Sequence, residues 1–374
     1  MNHTTNRLDW FTIYINLDST IFRQPEIMSF LKSFIFNSLN FKLYYRYAKR
    51  RFAHFVGLKG RTAWISAPAC RTHFAGNQHP ESPNRLIAIE NILRHTHTWA
   101  RMKKIQAKPI NDIQLARVHT RNYINELENQ TPAQGVHKID DDTYLSRDTF
   151  DAARYGAGAA VQAVDMVMKQ HAKNAFCAIR PPGHHAHANH AGGFCFINNA
   201  AVAAMHAIAE YRLERVAILD FDLHHGDGTE DIFQNDKRVM LLSSFESPLY
   251  PFTGTDYQGK NPNIINTPLK AGDSSDVFRE MVRSIWLPKL ASFRPQLIVL
   301  SAGFDAHRDD DLGHLNLTED DFGWLTQKIV LVAERHAQGR IVSVLEGGYC
   351  LDSLAVSVKA HLNALVSANR FAQN

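Results

Sequence analysis

Val216-Ala217-Ile218-Leu219-Asp220-Phe221-Asp222-Leu223-His224-His225-Gly226-Asp227-Gly228 contains both a buried strand and the polar cluster that ends it. The run Val216–Asp220 is aliphatic without polar alternation, as a parallel strand covered on both faces requires. Four more runs share that character: Phe176–Ile179, Val239–Ser243, Leu297–Ser301 and Ile341–Leu345. Longer amphipathic or small-residue stretches lie between them. These predict helices over Asp148–Lys169, Asn199–Tyr211, Val277–Phe293 (kinked or broken near Pro288) and Asp320–His336. Strands alternating with helices predict an α/β fold: a single domain built on an open, mostly parallel sheet flanked by helices. No internal repeat or low-complexity linker interrupts it.

Working outward, each strand runs into a polar or glycine-rich cluster. These are Arg180-Pro181-Pro182-Gly183-His184-His185, the Asp220–Gly228 segment, Ser243-Ser244, Ser301-Ala302-Gly303-Phe304-Asp305 and Glu346-Gly347-Gly348-Tyr349. Ligands of open α/β sheets bind at the carboxyl ends of strands, so five such endings should converge on one site. If residues 220–224 are extended, Asp220, Asp222 and His224 share a face while Phe221 and Leu223 pack. Asp222 and His224 then read as two ligands of a divalent metal, with Asp305 as the third. Two carboxylates and an imidazole suit Zn²⁺, Fe²⁺ or Mn²⁺, and three ligands leave a place for water. His184-His185, on a turn stiffened by two prolines, can move protons beside such a metal, with Asp220 and Asp227 as orienting carboxylates. Tyr349, after two glycines, can hydrogen-bond a developing oxyanion.

Composition narrows the classes. The chain has 374 residues, long enough for a large core, and no apolar run reaches the ~18 residues of a membrane span. Four scattered cysteines, Cys70, Cys177, Cys195 and Cys350, form neither a disulfide framework nor a zinc knuckle, and the cytoplasm is the expected compartment. Residues 1–61 hold ten Lys and Arg against three Asp and Glu, a net of +7, whereas the whole chain is +4; the other 313 residues therefore carry −3. The body needs no nucleic-acid partner to explain its charge. The boundaries expected are a basic aromatic extension over 1–61 and a catalytic domain over 62–374. The extension, with apolar residues near helical spacing over Ile27–Phe36 and then Tyr44, Tyr45, Tyr47, Lys49, Arg50 and Arg51, predicts a basic helix. Such a helix docks on the domain or contacts an anionic membrane or a partner, with nuclear or membrane-surface association as a consequence.

With these residues laid out, the chain resembles the zinc-dependent histone deacetylase superfamily, which includes histone deacetylase-like amidohydrolases, acetylpolyamine amidohydrolases and acetoin-utilization proteins. The resemblance spans Pro68 to Leu365 and rests on motifs in family order. They are His73-x-x-Gly76-x-x-His79-Pro80-Glu81-x-Pro83-x-Arg85, then Arg180–His185, Gly193-Phe194-Cys195-Phe196-x-Asn198-Asn199, Asp220–Thr229, Ser301–Asp305 and Glu346–Tyr349. It implies an arginase/deacetylase-like fold and hydrolysis of an acetyl-lysine amide. Asp222, His224 and Asp305 would hold Zn²⁺. His184 and His185 would form a dyad with Asp220 and Asp227, His185 being the general base and acid. Tyr349 would stabilise the oxyanion, and Gly193, Phe194 and Tyr250 would line the substrate tunnel. A structural K⁺ would be held by Asp220, Asp222, His224 and Ser243, with backbone carbonyls including that of Ser244.

Two departures fall at the rim. Tyr250 stands where Phe is usual, and Pro251-Phe252-Thr253-Gly254 replaces a Pro-Gly-Thr-Gly run. Asp140, Asp141 and Asp142 are candidates for an acidic substrate grip or simply a solvated run. The two-metal arrangement of arginases is disfavoured because His307 stands two residues beyond Asp305, where a further Asp would be needed. The expected substrate is an acetylated protein or peptide, histone tails included; an acetylated polyamine is the alternative, and a non-catalytic adaptor acting through the basic segment is a third reading. An oligomer is compatible with all of these. His73 and His79 read as rim-ordering residues, and His95, His97, His171 and His206 as surface or helix-face histidines. His307-Arg308-Asp309-Asp310-Asp311 reads as a solvated loop or, alternatively, as lining of the pocket mouth.

Overall fold

The computed structural model describes residues 62–368. The basic segment 1–61 and its expected helix lie outside the described residues. Ten strands occur among those described: β1 (Thr62–Ser66), β2 (Lys103–Gln106), β3 (Val136–Lys138), β4 (Tyr144–Ser146), β5 (Asn174–Cys177), β6 (Val216–Asp220), β7 (Val239–Glu246), β8 (Ile264–Leu269), β9 (Leu297–Ala302) and β10 (Ile341–Leu345). Eight form one sheet in the order β2-β1-β5-β10-β9-β6-β7-β8, every neighbouring pair parallel. β3 and β4 make a separate antiparallel hairpin.

The five strands read from the sequence are five of the sheet's six interior strands, and every residue of β5, β6, β7, β9 and β10 is buried. The strands not read are β1 and the two edges. β2 is Lys-Lys-Ile-Gln and mostly exposed, a charged edge that discourages further pairing. β8 carries Pro268, which an edge tolerates because its missing N–H has no ladder partner to lose.

The helices fall close to expectation at Thr149–Met168, Asn199–Tyr211 and Glu319–His336. Asn198 caps the second, its side chain accepting from the Ala201 N–H, and Thr318 with Asp321 forms a capping box on the third. Gly158 lets the long helix touch a neighbouring chain segment: a Cβ there would lie 1.8 Å from the Lys108 carbonyl oxygen. The break expected near Pro288 is a π-helical stretch, Val282–Trp286, between the helices Ser275–Met281 and Leu287–Phe293. The wide turn precedes the proline, which then sits in the first turn of the next helix, where no N–H is required.

Candidate active site

Because the eight strands are parallel, their carboxyl ends all open on one edge of the sheet. Asp220 closes β6 in register with Ser243 of β7 and Ser301 of β9. Strand geometry stops there. The next residues fold on their own carboxylates: Asp222 N–H donates to Asp220 Oδ1 at 3.2 Å, and His224 N–H to Asp222 Oδ1 at 3.0 Å. Asp222 and His224 therefore meet through these tight turns rather than through strand alternation. His224 Nδ1 lies 3.1 Å from Asp222 Oδ1 and 3.2 Å from Asp305 Oδ2, and Asp220 is turned away towards His184.

Asp222, His224 and Asp305 each offer a ligand atom, all within 4.8 Å of one another. Asp305 Oδ2 is buried and makes no hydrogen bond, its approach to His224 being poorly angled, so a lone pair is left for a cation. Burial and the neighbouring Asp222 raise the Asp305 carboxyl to about 6. Burial opposes a charge on His224, yet the carboxylates of Asp222 and Asp305 beside it raise it to about 10. A site that holds protons this tightly is one that a divalent cation would neutralise. The glycines around it are spatial requirements: a Cβ on Gly303 would lie 2.0 Å from Asp222 Oδ2, and one on Gly347 2.2 Å from Asp305 Oδ2.

The two adjacent histidines stand beside this trio, ring centroids 4.0 Å apart. His184 Nδ1 is 3.0 Å from Asp220 Oδ2 and its Nε2 is 3.6 Å from Asp222 Oδ1. His185 Nδ1 is 2.7 Å from Asp227 Oδ1. Burial works against the charged form of both. For His184 the carboxylates Asp222 and Asp220 prevail and raise it well above the usual range. For His185 burial and the neighbouring His184 cation prevail and lower it to about 4. One ring is thus held as a cation and the other as a neutral base.

Tyr349 faces the same space. Its backbone N–H donates to Asp310 Oδ2 at 2.6 Å, and its ring lies 5.7 Å from that of Phe194 and 4.8 Å from the Arg85 guanidinium. Burial keeps the phenol well above its usual range, so it remains a donor. Phe194 and Tyr250 are half-buried on either side of the approach, with Tyr250 5.2 Å from the His185 ring. Gly193 between them has φ +53°, and a Cβ there would strike His185 Cδ2 at 2.4 Å.

All the residues expected at the metal, dyad, tyrosine and tunnel positions are brought together here. Ser243 and Ser244 lie behind them in β7, the Ser243 hydroxyl buried without a partner. Of the acidic run, Asp141 points into solvent with Lys138, whereas Asp140 Oδ1 accepts from the Asp142 and Thr143 N–H groups and ties the mouth loop together.

Several residues that stand in the sequence motifs without an assigned role support the site. Glu346 accepts from the Gly183 and His184 N–H groups and from the Ser301 hydroxyl, and its burial raises its carboxyl to about 7. Glu81 is gripped by the Arg180 fork at 2.6 Å on each oxygen and by Arg85 at 3.1 Å. Arg85 also donates to the Gly348 carbonyl at 2.7 Å, just under Tyr349. The 307–311 run is not simply a solvated loop, since His307 and Asp310 are buried and Asp310 anchors Tyr349. His206 is a helix-face histidine of Asn199–Tyr211, buried 2.9 Å from Asp165. Apart from Glu81 and Arg85, four residues apart, these contacts join segments far apart in sequence, and spacing gives no signal for them.

Comparisons with known proteins give the family. The histone deacetylase domain matches residues 79–365. A probable deacetylase of Archaeoglobus fulgidus is 37% identical over 288 residues, covering 75% of this chain and 79% of that protein. A histone deacetylase-like amidohydrolase of Pseudomonas aeruginosa is 37% identical over 291 residues, covering 76% and 75%. The crystal structure of the HDA15 HD domain superposes with a TM-score of 0.77 at 31% identity, over 82% of this chain and 90% of that one. With an eight-stranded parallel sheet carrying this site at its carboxyl edge, the chain belongs to the histone deacetylase family and is an amidohydrolase of that family.

Proposed function

We propose that the enzyme hydrolyses the acetyl-lysine amide of proteins or peptides and releases acetate, with Zn²⁺ held by Asp222, His224 and Asp305. The observation that carries this reading is the convergence of an electron-rich ligand trio, a neutral histidine and a buried phenol on one half-buried approach between Phe194 and Tyr250. When bound, the ion supplies a Lewis acid for the acyl carbonyl and lowers the pKa of water. His185, with Nδ1 committed to Asp227, takes the proton of the attacking water through Nε2 and returns it to the departing amine nitrogen. His184, with Nδ1 on Asp220, places a second imidazole beside the reacting carbon. Tyr349 donates to the oxyanion. The water oxygen bonds to the acyl carbon while the carbonyl opens to an oxyanion; when the carbonyl re-forms, the carbon–nitrogen bond breaks onto the proton returned by His185, and the second proton of the water passes from the new carboxyl group to the amine, so that acetate and a protonated amine leave. A K⁺ ion behind the floor, held by Asp220, Asp222, His224, Ser243 and the carbonyl of Ser244, would use the unpartnered Ser243 hydroxyl.

An acetylated polyamine is a second reading, supported by Asp140 and Asp142, which both bear electrostatically on Tyr250 at the mouth. An acetyl-lysine peptide and acetylputrescine assayed side by side, with chelator and with Tyr349→Phe, separate the two. Peptide turnover lost on chelation and on mutation supports the first reading; turnover of the polyamine alone moves the enzyme to the second. Binding of metal without turnover of either overturns both.

A further inference from the structure

His187 lies outside the reacting centre yet holds part of it. It is two residues beyond His185, and both rings reach the same carboxylate. His185 Nδ1 is 2.7 Å from Asp227 Oδ1, and His187 Nε2 is 3.1 Å from Asp227 Oδ2. The other nitrogen of His187, Nδ1, lies 3.3 Å from Asp231 Oδ2. Asp227 and Asp231 stand four residues apart on the short helix Asp227–Phe233, and so on one face. Two carboxylates at that spacing repel; an imidazolium between them turns the repulsion into two charge-assisted bonds.

The surroundings fix this ring. Its backbone N–H donates to the His190 carbonyl at 3.0 Å, and the His190 ring stacks on it at 4.0 Å. Its carbonyl lies 2.9 Å from His119 Nδ1, while His119 Nε2 accepts from the Asn198 N–H at 3.0 Å, so Nδ1 of His119 carries the proton. Thr120 N–H donates to the Ala188 carbonyl at 2.8 Å. The charged and titratable groups facing His187 are Asp227 and Asp231 from the helix and His185 and His190 from its own loop. Arg117 lines the cleft beyond Asp231 but is engaged by Glu210 at 2.5 Å and His206 at 3.3 Å. Burial disfavours charge on His187, yet the two carboxylates overcome it and raise the ring to about 9. His190, partly buried against that cation, is lowered.

We propose that His187 is a positioning residue of the hydrolysis: it shares the Asp227 carboxylate with His185, ties it to Asp231, and limits how much of its charge falls on the His185 ring. The proposal rests on the reading of His185 as the proton carrier. Without the His187 cation, Asp227 bears wholly on His185 and strengthens its hold on a proton. His187→Gln keeps a polar group of similar size and removes the charge. On the zinc-loaded enzyme it should move the acid limb of the kcat profile upward by about one pH unit. KM for the peptide should change little, and the melting temperature should fall by a few degrees as the two charge-assisted bonds are lost. Asp231→Asn should move the limb in the same direction by less.

A readout independent of turnover is the imidazole NMR titration of the histidine-labelled chain, with the His187 signal assigned by its absence in His187→Gln. In the wild type that ring should stay protonated to about pH 9, and in Asp231→Asn its titration should fall towards the ordinary histidine range. An ordinary titration of His187 in the wild type overturns the proposal. So does an acid limb of His187→Gln that superimposes on that of an active wild type. If the wild type hydrolyses no acyl amide, the deacetylase reading fails, and the NMR titration alone decides whether His187 bridges the two carboxylates.

Discussion

The floor of the site and its rim are built on opposite terms. At the floor, Asp222, Asp305, His184, His185 and Glu346 are buried, and the flanking glycines leave no room for a methyl group. At the rim, Phe252 is 77% exposed with φ +63°, Asp141 lies in solvent, and β3 is exposed along its length. The floor hangs from the ends of paired strands; the rim hangs from loops. A carboxylate whose place is fixed by sheet register can serve a reaction needing sub-ångström placement. A loop whose side chains touch little can vary without disturbing it. Chemistry and substrate choice should therefore respond separately to mutation.

The hardest test of that separation is Asp305→Ala. It removes a ligand and leaves Asp222 and His224 paired to each other. Metal content measured on the purified protein should fall to background, and turnover with it by more than about 10⁴-fold. Retention of stoichiometric metal would show that the trio is not the ligand set. Next comes Tyr349→Phe, which removes one donor while Arg85 and Phe194 still pack the ring. kcat should drop by about 10²–10³-fold with KM nearly unchanged. A KM effect alone would make Tyr349 a binding residue of the wall.

How far this contrast could be read beforehand follows from the residues themselves. Five of the six interior strands and the metal, dyad and tyrosine residues were legible because buried parallel strands leave aliphatic runs, and each run ends in its own polar cluster. β1 was not, since only Ala63, Trp64 and Ile65 stand between Thr62 and Ser66, and β2 and β8 were not, since these edge strands carry lysines or a proline and so lack the aliphatic signature. The turn geometry at Asp222 was misjudged in detail: carboxylate-to-amide bonds, not strand alternation, bring it to His224. Glu346 and Asp310 were invisible as supports because the groups they hold, Gly183 and Tyr349, lie 163 and 39 residues away and nothing local marks the pairing.

A smaller effect probes the packing behind the floor. His361 is fully buried, 2.7 Å from Thr326 Oγ1 and 3.0 Å from Ser343 Oγ, and burial lowers it to about 3. Its folded pKa lies below its unfolded one. Above the ordinary value of ~6.5 it is neutral in both states and its contacts contribute fully. As pH falls below that value, the unfolded chain binds a proton that the folded chain refuses, so the contribution shrinks until the folded pKa is reached. Urea midpoints at pH 7.5 and pH 5 should show wild type losing part of its advantage over His361→Asn at the lower pH. Parallel changes in the two proteins would show that His361 is charged in the fold.

The smallest effect belongs to the rim. Phe252→Gly relieves a left-handed backbone conformation worth roughly 1–2 kcal/mol in a non-glycine residue. It also adds freedom to the unfolded chain, which costs up to about 1 kcal/mol. With the ring mostly in solvent there is little packing to lose, so the melting temperature should move by less than about 1 kcal/mol of stability would shift it. kcat on a single acetylated lysine derivative should be unchanged, because no contact runs from this ring to the dyad or the ligand trio. KM for a longer acetylated peptide should rise a few-fold, since only a substrate extending past Tyr250 can reach residue 252. Equal losses on both substrates would mean that the loop bears on the floor, through His225 Nδ1 at 2.8 Å from the Thr253 hydroxyl, and the division between chemistry and substrate choice would not hold.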